Sequence, residues 1–162
     1  MIGGGLSSVW HDREELSLKG REDVSIEEMS RQIIEFIEEV RQYFKVDKSK
    51  VIVGGFSQGG HLSLHLVYGQ GMKVGAVFCL SSFLCENSSI YEKQNSLCPC
   101  HPPLFMSCGE ADQMVSTKWV MMTRDKLEAL GVDVLFDVRK RIGHEMERNQ
   151  LIKLFEWINK IL

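Results

Sequence analysis

The stretch Lys50-Val51-Ile52-Val53-Gly54-Gly55-Phe56-Ser57-Gln58-Gly59-Gly60 decides how the rest of the chain is read. An apolar, β-branched run stops on glycines, presents a serine, and passes through two more glycines into a helical pattern carrying Leu62, Leu66 and Val67. This is the sequence form of a nucleophile elbow, a tight strand-to-helix turn that lifts a serine hydroxyl clear of the backbone. Side chains flanking such a serine would collide, so Gly55 and Gly59 fall where the turn needs near-bare backbone. The following helix aims its positive end and the backbone amide of Gln58 at the space in front of Ser57, where an oxyanion would form.

Upstream of the elbow, Ser25 with Glu28 reads as a capping box, and Met29, Ile33, Ile37, Val40 and Phe44 recur at helical spacing. That pattern predicts an amphipathic helix whose other face, with Glu27, Glu35, Glu38, Glu39 and Arg41, is solvated. Residues 1–20 show no clear period, with Val9-Trp10 as their apolar anchor. Downstream, the continuous apolar run from Gly75 to Ser81 predicts a strand buried on both faces, and Leu104 to Cys108 a third strand. The segment from Phe83 to Pro102 is polar and irregular, with a helical turn near Ile90-Tyr91, and is placed where a lid could sit. A helix is expected from about Ser116 to Leu130, stopped by Gly131. Val132, Val134, Phe136 and Val138 then alternate with Asp133 and Asp137, the period of an edge strand with one wetter face. Leu151, Leu154, Phe155, Ile158 and Ile161 mark a final helix. Strands alternating with helices predict a three-layer α/β/α domain with a mostly parallel sheet.

With 162 residues, 44% hydrophobic content and a net charge of -3, the chain has the composition of one globular domain. The absence of a basic stripe argues against a nucleic-acid partner, and no apolar run approaches the roughly 18 residues that read as a membrane span. Five cysteines, Cys79, Cys85, Cys98, Cys100 and Cys108, form an odd set in a chain long enough to build a core, which predicts free thiols and a cytoplasmic protein. Cys98-Pro99-Cys100-His101 has C-x-C spacing with no second pair to complete a tetrahedral site, so it reads as a loop and no metal is expected.

Acyl transfer at a serine needs a base to take its proton and an acid to orient that base. In hydrolases of this build these follow in the order Ser, Asp or Glu, His. Asp112 lies just past the third strand and His144 in the loop after the fourth. Parallel strands point their C-terminal ends to one side, so both loops converge on Ser57. Asp133 and Asp137, read as strand residues with surface roles, and Asp125, within a helix, are weaker acids; Glu110 is a poor second. His61 and His65 lie at helical spacing on the elbow helix, which favours packing or exposure, and His11 and His101 precede no strand end.

Taken together, Gly54 to Gly60, the Gly109-x-x-Asp112-x-x-Val115 block, Gly143-His144-Glu145 and the C-terminal helix resemble the acyl-protein thioesterase and lysophospholipase family of α/β-hydrolases. The opening Gly4 to Asp12 and Leu80-Ser81-Ser82-Phe83-Leu84 extend the resemblance over essentially the whole chain. It implies Ser57, Asp112 and His144 as nucleophile, orienting acid and base, with no cofactor, and hydrolysis of acylated proteins or small acyl esters and thioesters. Family members begin with further strands and an H-G-x-G-D loop that supplies a second oxyanion donor. This chain shows neither, so the resemblance implies a single domain, residues 1–162, incomplete at its N-terminus. His11 stands in place of the family's usual aromatic, and Cys108 where a histidine often sits. An elbow strand without its usual neighbour would self-associate through its open edge. The rival reading is a catalytically silent interaction or regulatory protein that keeps the triad but lacks a complete oxyanion hole.

Overall fold

Parallel neighbours cannot be joined by a tight turn, so each strand of this chain returns through a helix or a long connection. The computed structural model describes residues 24–92 and 101–162. In chain order the elements are α1 (Val24–Phe44), β1 (Ile52–Phe56), α2 (Gln58–Leu64), β2 (Ala76–Leu80), β3 (Leu104–Gly109), α3 (Thr117–Ala129), β4 (Val134–Arg139) and α4 (Arg148–Ile161). The sheet runs β1-β2-β3-β4 with every pair parallel. All strand C-termini therefore face one edge, the edge that carries the loops of interest.

Two apolar layers hold the sheet between helices. On one face Val53, Val77, Cys79, Leu104 and Met106 pack with Leu62 and Leu66 from the elbow helix, Ile26 of α1, and Val120 and Leu127 of α3. On the other, Leu80 and Phe105 meet Leu154 of α4, with Trp157 and Ile158 at the margin. Strands β2 and β3 are thus covered on both sides, which is why their apolar residues run on without alternating. The expected three-layer α/β/α architecture is what the chain adopts.

The details depart from the sequence reading where tertiary context decides. In α1, Met29, Ile33 and Ile37 reach the core, but Val40 is 40% and Phe44 67% exposed, beside exposed Phe36 and Tyr43. A helix of 21 residues is about 32 Å long against about 17 Å for the five-residue β1, so its last turns run past the layer beneath. The side chain of Ser25 lies outside the described residues, as does residue 1–20's Val9-Trp10 anchor. The elbow helix starts at Gln58 and continues from Leu64 into a π-helical stretch, His65–Gly69. Phe83, Leu84, Cys85 and Ile90 are buried, so the start of the supposed lid belongs to the core; the turn near Ile90 is the 3-10 segment Ser89–Glu92.

Strand β4 does form an edge of the described sheet, but exposure along it does not follow the alternation cleanly. Asp133 precedes the strand, while Asp137 is buried beneath α4, with Lys153 Nζ 2.5 Å from its Oδ1. Leu135, on the same face as Asp133 and Asp137, is exposed, and so is Val138 on the opposite face. Alternation gave two faces, and Lys153 of α4 covers Asp137 without covering the rest of its face. A surface role for Asp137 is therefore overturned.

Candidate active site

At the elbow, Ser57 sits between β1 and α2 with φ 53° and ψ -119°. A non-glycine residue held there costs on the order of 1–3 kcal/mol, which surrounding structure must offset. Two backbone bonds pin it: Ser57 N–H donates to Leu80 O at 2.8 Å, and Ser57 O accepts from His61 N–H at 3.1 Å. The need for bare backbone is visible at Gly55, where a Cβ would lie 2.5 Å from the carbonyl carbon of Gly59. Gln58 opens the helix immediately after the serine, so its amide is the first of the helix N-terminus.

The acid and the histidine arrive on two loops pressed together. Glu110 N–H donates to Arg139 O at 2.9 Å and Ala111 N–H to Ile142 O at 3.0 Å, which carries the β3–β4 pairing out into the loops. The approach is close enough that a Cβ on Gly109 would lie 2.1 Å from Ile142 O and 2.6 Å from Gly143 O. Asp112 then turns back so that its Oδ1 accepts from the backbone N–H groups of Met114 at 2.9 Å and Val115 at 2.8 Å. Its other oxygen, Oδ2, lies 2.8 Å from His144 Nδ1, and His144 Nε2 lies 3.0 Å from Ser57 Oγ.

The proton positions follow from this inventory. An ionised carboxylate only accepts, so Nδ1 carries the hydrogen and Nε2 presents its lone pair to the Ser57 hydroxyl. The Asp112 side chain is fully buried, and its three donors compensate for lost water. The Phe56 ring lies 4.8 Å from the imidazole, centroid to centroid, and walls one side of it. Behind the site the Cys108 thiol is pushed up to about 11, chiefly by burial and then by the Asp112 and Asp137 carboxylates, against the Thr117 hydroxyl.

The structure thus gathers Ser57, Asp112 and His144 at one point and leaves their rivals apart. Glu110, Asp125 and Asp133 are exposed. His61 and His65 are buried in the core with rings 4.8 Å apart, and His61 Nδ1 is 2.9 Å from Phe83 O. His11, Cys98 and Cys100 lie outside the described residues. Among the described residues no group of three or more His, Cys, Asp or Glu side chains could hold a metal ion, and no helix is long and apolar enough to cross a membrane. Sequence reading missed Phe56, Ser107 and Gln150. The signal for the last was Glu147-x-x-Gln150, the spacing of a capping box, three residues after His144.

A parallel sheet layered between helices, with a strained serine turn at its C-terminal edge, is the α/β-hydrolase fold. Within that class the match to the Phospholipase/Carboxylesterase family extends over residues 1–162, and the chain belongs to this family. It is 38% identical over 157 residues to mouse lysophospholipase-like protein 1, covering 96% of this chain and 65% of that protein. It is 33% identical over 162 residues to acyl-protein thioesterase 1 homolog 1 of Dictyostelium discoideum, covering 99% and 70% respectively. Among solved structures, Arabidopsis thaliana SOBER1 superposes with a TM-score of 0.80 at 24% identity, covering 94% of this chain and 73% of that one. The chain therefore spans about two thirds of the length of these relatives.

Proposed function

We propose that this protein is a cytoplasmic serine hydrolase, built as one α/β-hydrolase domain, that cleaves carboxylic esters and thioesters on proteins or small acyl molecules. The observation that carries the reading is the hydrogen-bonded line from Asp112 through His144 to Ser57, at 2.8 and 3.0 Å. The names of its relatives, acyl-protein thioesterase and lysophospholipase-like protein, support the same substrate class. Among the described residues, the buried free thiols of Cys79 and Cys108 support a reducing compartment.

In this mechanism Ser57 Oγ attacks the acyl carbonyl while its proton passes to His144 Nε2. Asp112 holds the imidazole and stabilises the positive charge that develops on it. The oxyanion of the tetrahedral intermediate takes the Gln58 N–H, at the positive end of the helix. As the intermediate collapses, His144 returns the proton to the departing alcohol or thiol, leaving an acyl ester on Ser57. Water, deprotonated by His144, attacks that ester; as the second intermediate collapses the Ser57 Oγ–acyl bond breaks, His144 returns the proton to Ser57 Oγ, and the carboxylic acid leaves. No cofactor enters these steps.

The test is to incubate the chain with short- and long-chain p-nitrophenyl esters and an acyl thioester, comparing it with Ser57→Ala. Turnover lost in the variant supports the reading, and equal turnover defeats it.

A second reading rests on the outer edge of β1. Among the described residues β1 pairs only with β2, and a groove of about 400 Å³ runs beside it between Ile33 and Ile37 of α1 and Leu62 and Leu66 of the elbow helix. The exposed Phe36, Val40, Tyr43 and Phe44 continue the apolar surface. Such an edge pairs readily with another chain, which favours self-association and a role as an interaction protein.

A further inference from the structure

Gln150 is fully buried although its side chain is polar, and a buried amide is retained at a cost unless both its ends are bonded. Here both are. Its Nε2 donates to Ser107 Oγ at 2.9 Å, and its Oε1 accepts from Glu147 N–H at 3.3 Å. Ser107 lies on β3, two residues before Gly109, whose strand runs on into the Asp112 loop. Glu147 stands three residues after His144. One amide therefore ties the strand that delivers the acid to the segment that delivers the histidine.

A second connection closes the frame. Glu147 Oε2 accepts from Arg139 Nη2 at 3.0 Å, and Arg139 is the β4 residue in register with Gly109. The loop bearing His144 thus begins and ends on residues bonded to each other, and both are bonded to β3, Arg139 through the sheet and Glu147 through Gln150.

We infer that Gln150 is a positioning residue for His144: its bridge between Ser107 Oγ and Glu147 N–H sets the distance between the imidazole and Asp112. This rests on the hydrolase reading above and adds to it. A leucine at 150 together with an alanine at 107 would fill much of the same space, and replacing both partners of a buried polar pair by apolar groups is commonly neutral or stabilising. The polar link therefore gains register where an apolar one would give only burial. Misplacing a reacting group by about 1 Å can cost on the order of a hundredfold in rate.

The test compares Gln150→Leu, Ser107→Ala and their double variant with the unaltered chain and with Ser57→Ala. Gln150→Leu leaves the buried Ser107 hydroxyl and the Glu147 N–H without their partner, so its thermal midpoint is expected to fall by several degrees; assayed well below that midpoint, KM should stay within about twofold while kcat falls about ten- to a hundredfold. The double variant should lose no more than Gln150→Leu alone, since both cut one link. Amide exchange at Ala111, which donates to Ile142 O, should speed up in both single variants and reads the frame independently of turnover.

A stable Gln150→Leu protein with unchanged kcat and unchanged exchange at Ala111 would overturn the inference, as would a loss of rate that follows the unfolded fraction. Should Gln150→Leu fail to fold, the Ser107→Ala results for kcat and exchange decide alone. Full activity in Ser57→Ala defeats the hydrolase reading instead, whatever Gln150 does.

Discussion

His144 Nε2 stands 3.0 Å from Ser57 Oγ although 87 residues separate the two in the chain. The contact exists because all four strands are parallel, so the loops leaving their C-terminal ends emerge on one edge and the loop after β4 reaches back to the elbow after β1. Neither residue is placed by its neighbours in sequence alone.

Asp112→Asn tests the role of the buried carboxylate. An asparagine amide would face Nδ1 with either its oxygen or its NH2 group, and the imidazole would no longer be held with its hydrogen on Nδ1. The rate should fall about a thousand- to ten-thousandfold while ester binding changes little. Steady-state kinetics on a p-nitrophenyl ester decide it, and an Asn variant at full rate would move the acid elsewhere.

Gly109→Ala should damage fold and site together. The added methyl would fall 2.1 Å from Ile142 O, a backbone atom that cannot step aside as a flexible side chain would. We expect a loss of about 2 kcal/mol or more in stability, accompanied by loss of turnover. Urea denaturation of the two proteins measures the first, and an alanine variant as stable as the parent would show that the loops separate freely.

The frame around His144 should be sensitive to acid through Glu147. The backbone N–H of Asn149, then that of Gln150 and the Arg139 guanidinium, hold its carboxyl below the usual range. A carboxyl depressed in the folded state contributes stability above its unfolded value, and that contribution disappears as pH falls through the folded one. The difference in thermal midpoint between the unaltered chain and Glu147→Gln should therefore be full at neutral pH and shrink below about pH 4. A difference that grows on acidification would reverse the assignment.

Much of this was legible before any coordinates. The elbow is a local event, written in a β-branched run and the glycines on either side of Ser57. The convergence of Asp112 and His144 follows from parallel topology, which alternating strands and helices announce. What escaped were properties set by distant packing. Helical periodicity in α1 identified its apolar stripe correctly, but could not say that nothing described lies under Val40 and Phe44. Alternation in β4 separated two faces without revealing that Lys153 of α4 covers Asp137 while Leu135 on the same face stays exposed. Gln150 looked like an ordinary polar residue at the start of a helix, because only the position of β3 buries it.

The open side of β1 leads to an association prediction. The unaltered chain should form dimers or larger species in concentration-dependent light scattering, and Ile52→Lys, placing a charge on the edge strand, should reduce them. A monodisperse monomer at high concentration would show that this edge is satisfied by residues outside the described ones.

An activated Ser57 should react with a fluorophosphonate probe, since labelling requires an activated serine and little substrate recognition. After treatment of the folded chain, peptide mapping by mass spectrometry should locate one adduct on Ser57, with none in Ser57→Ala or in chain unfolded before labelling. An unlabelled native chain, or an adduct on another serine, would contradict the account.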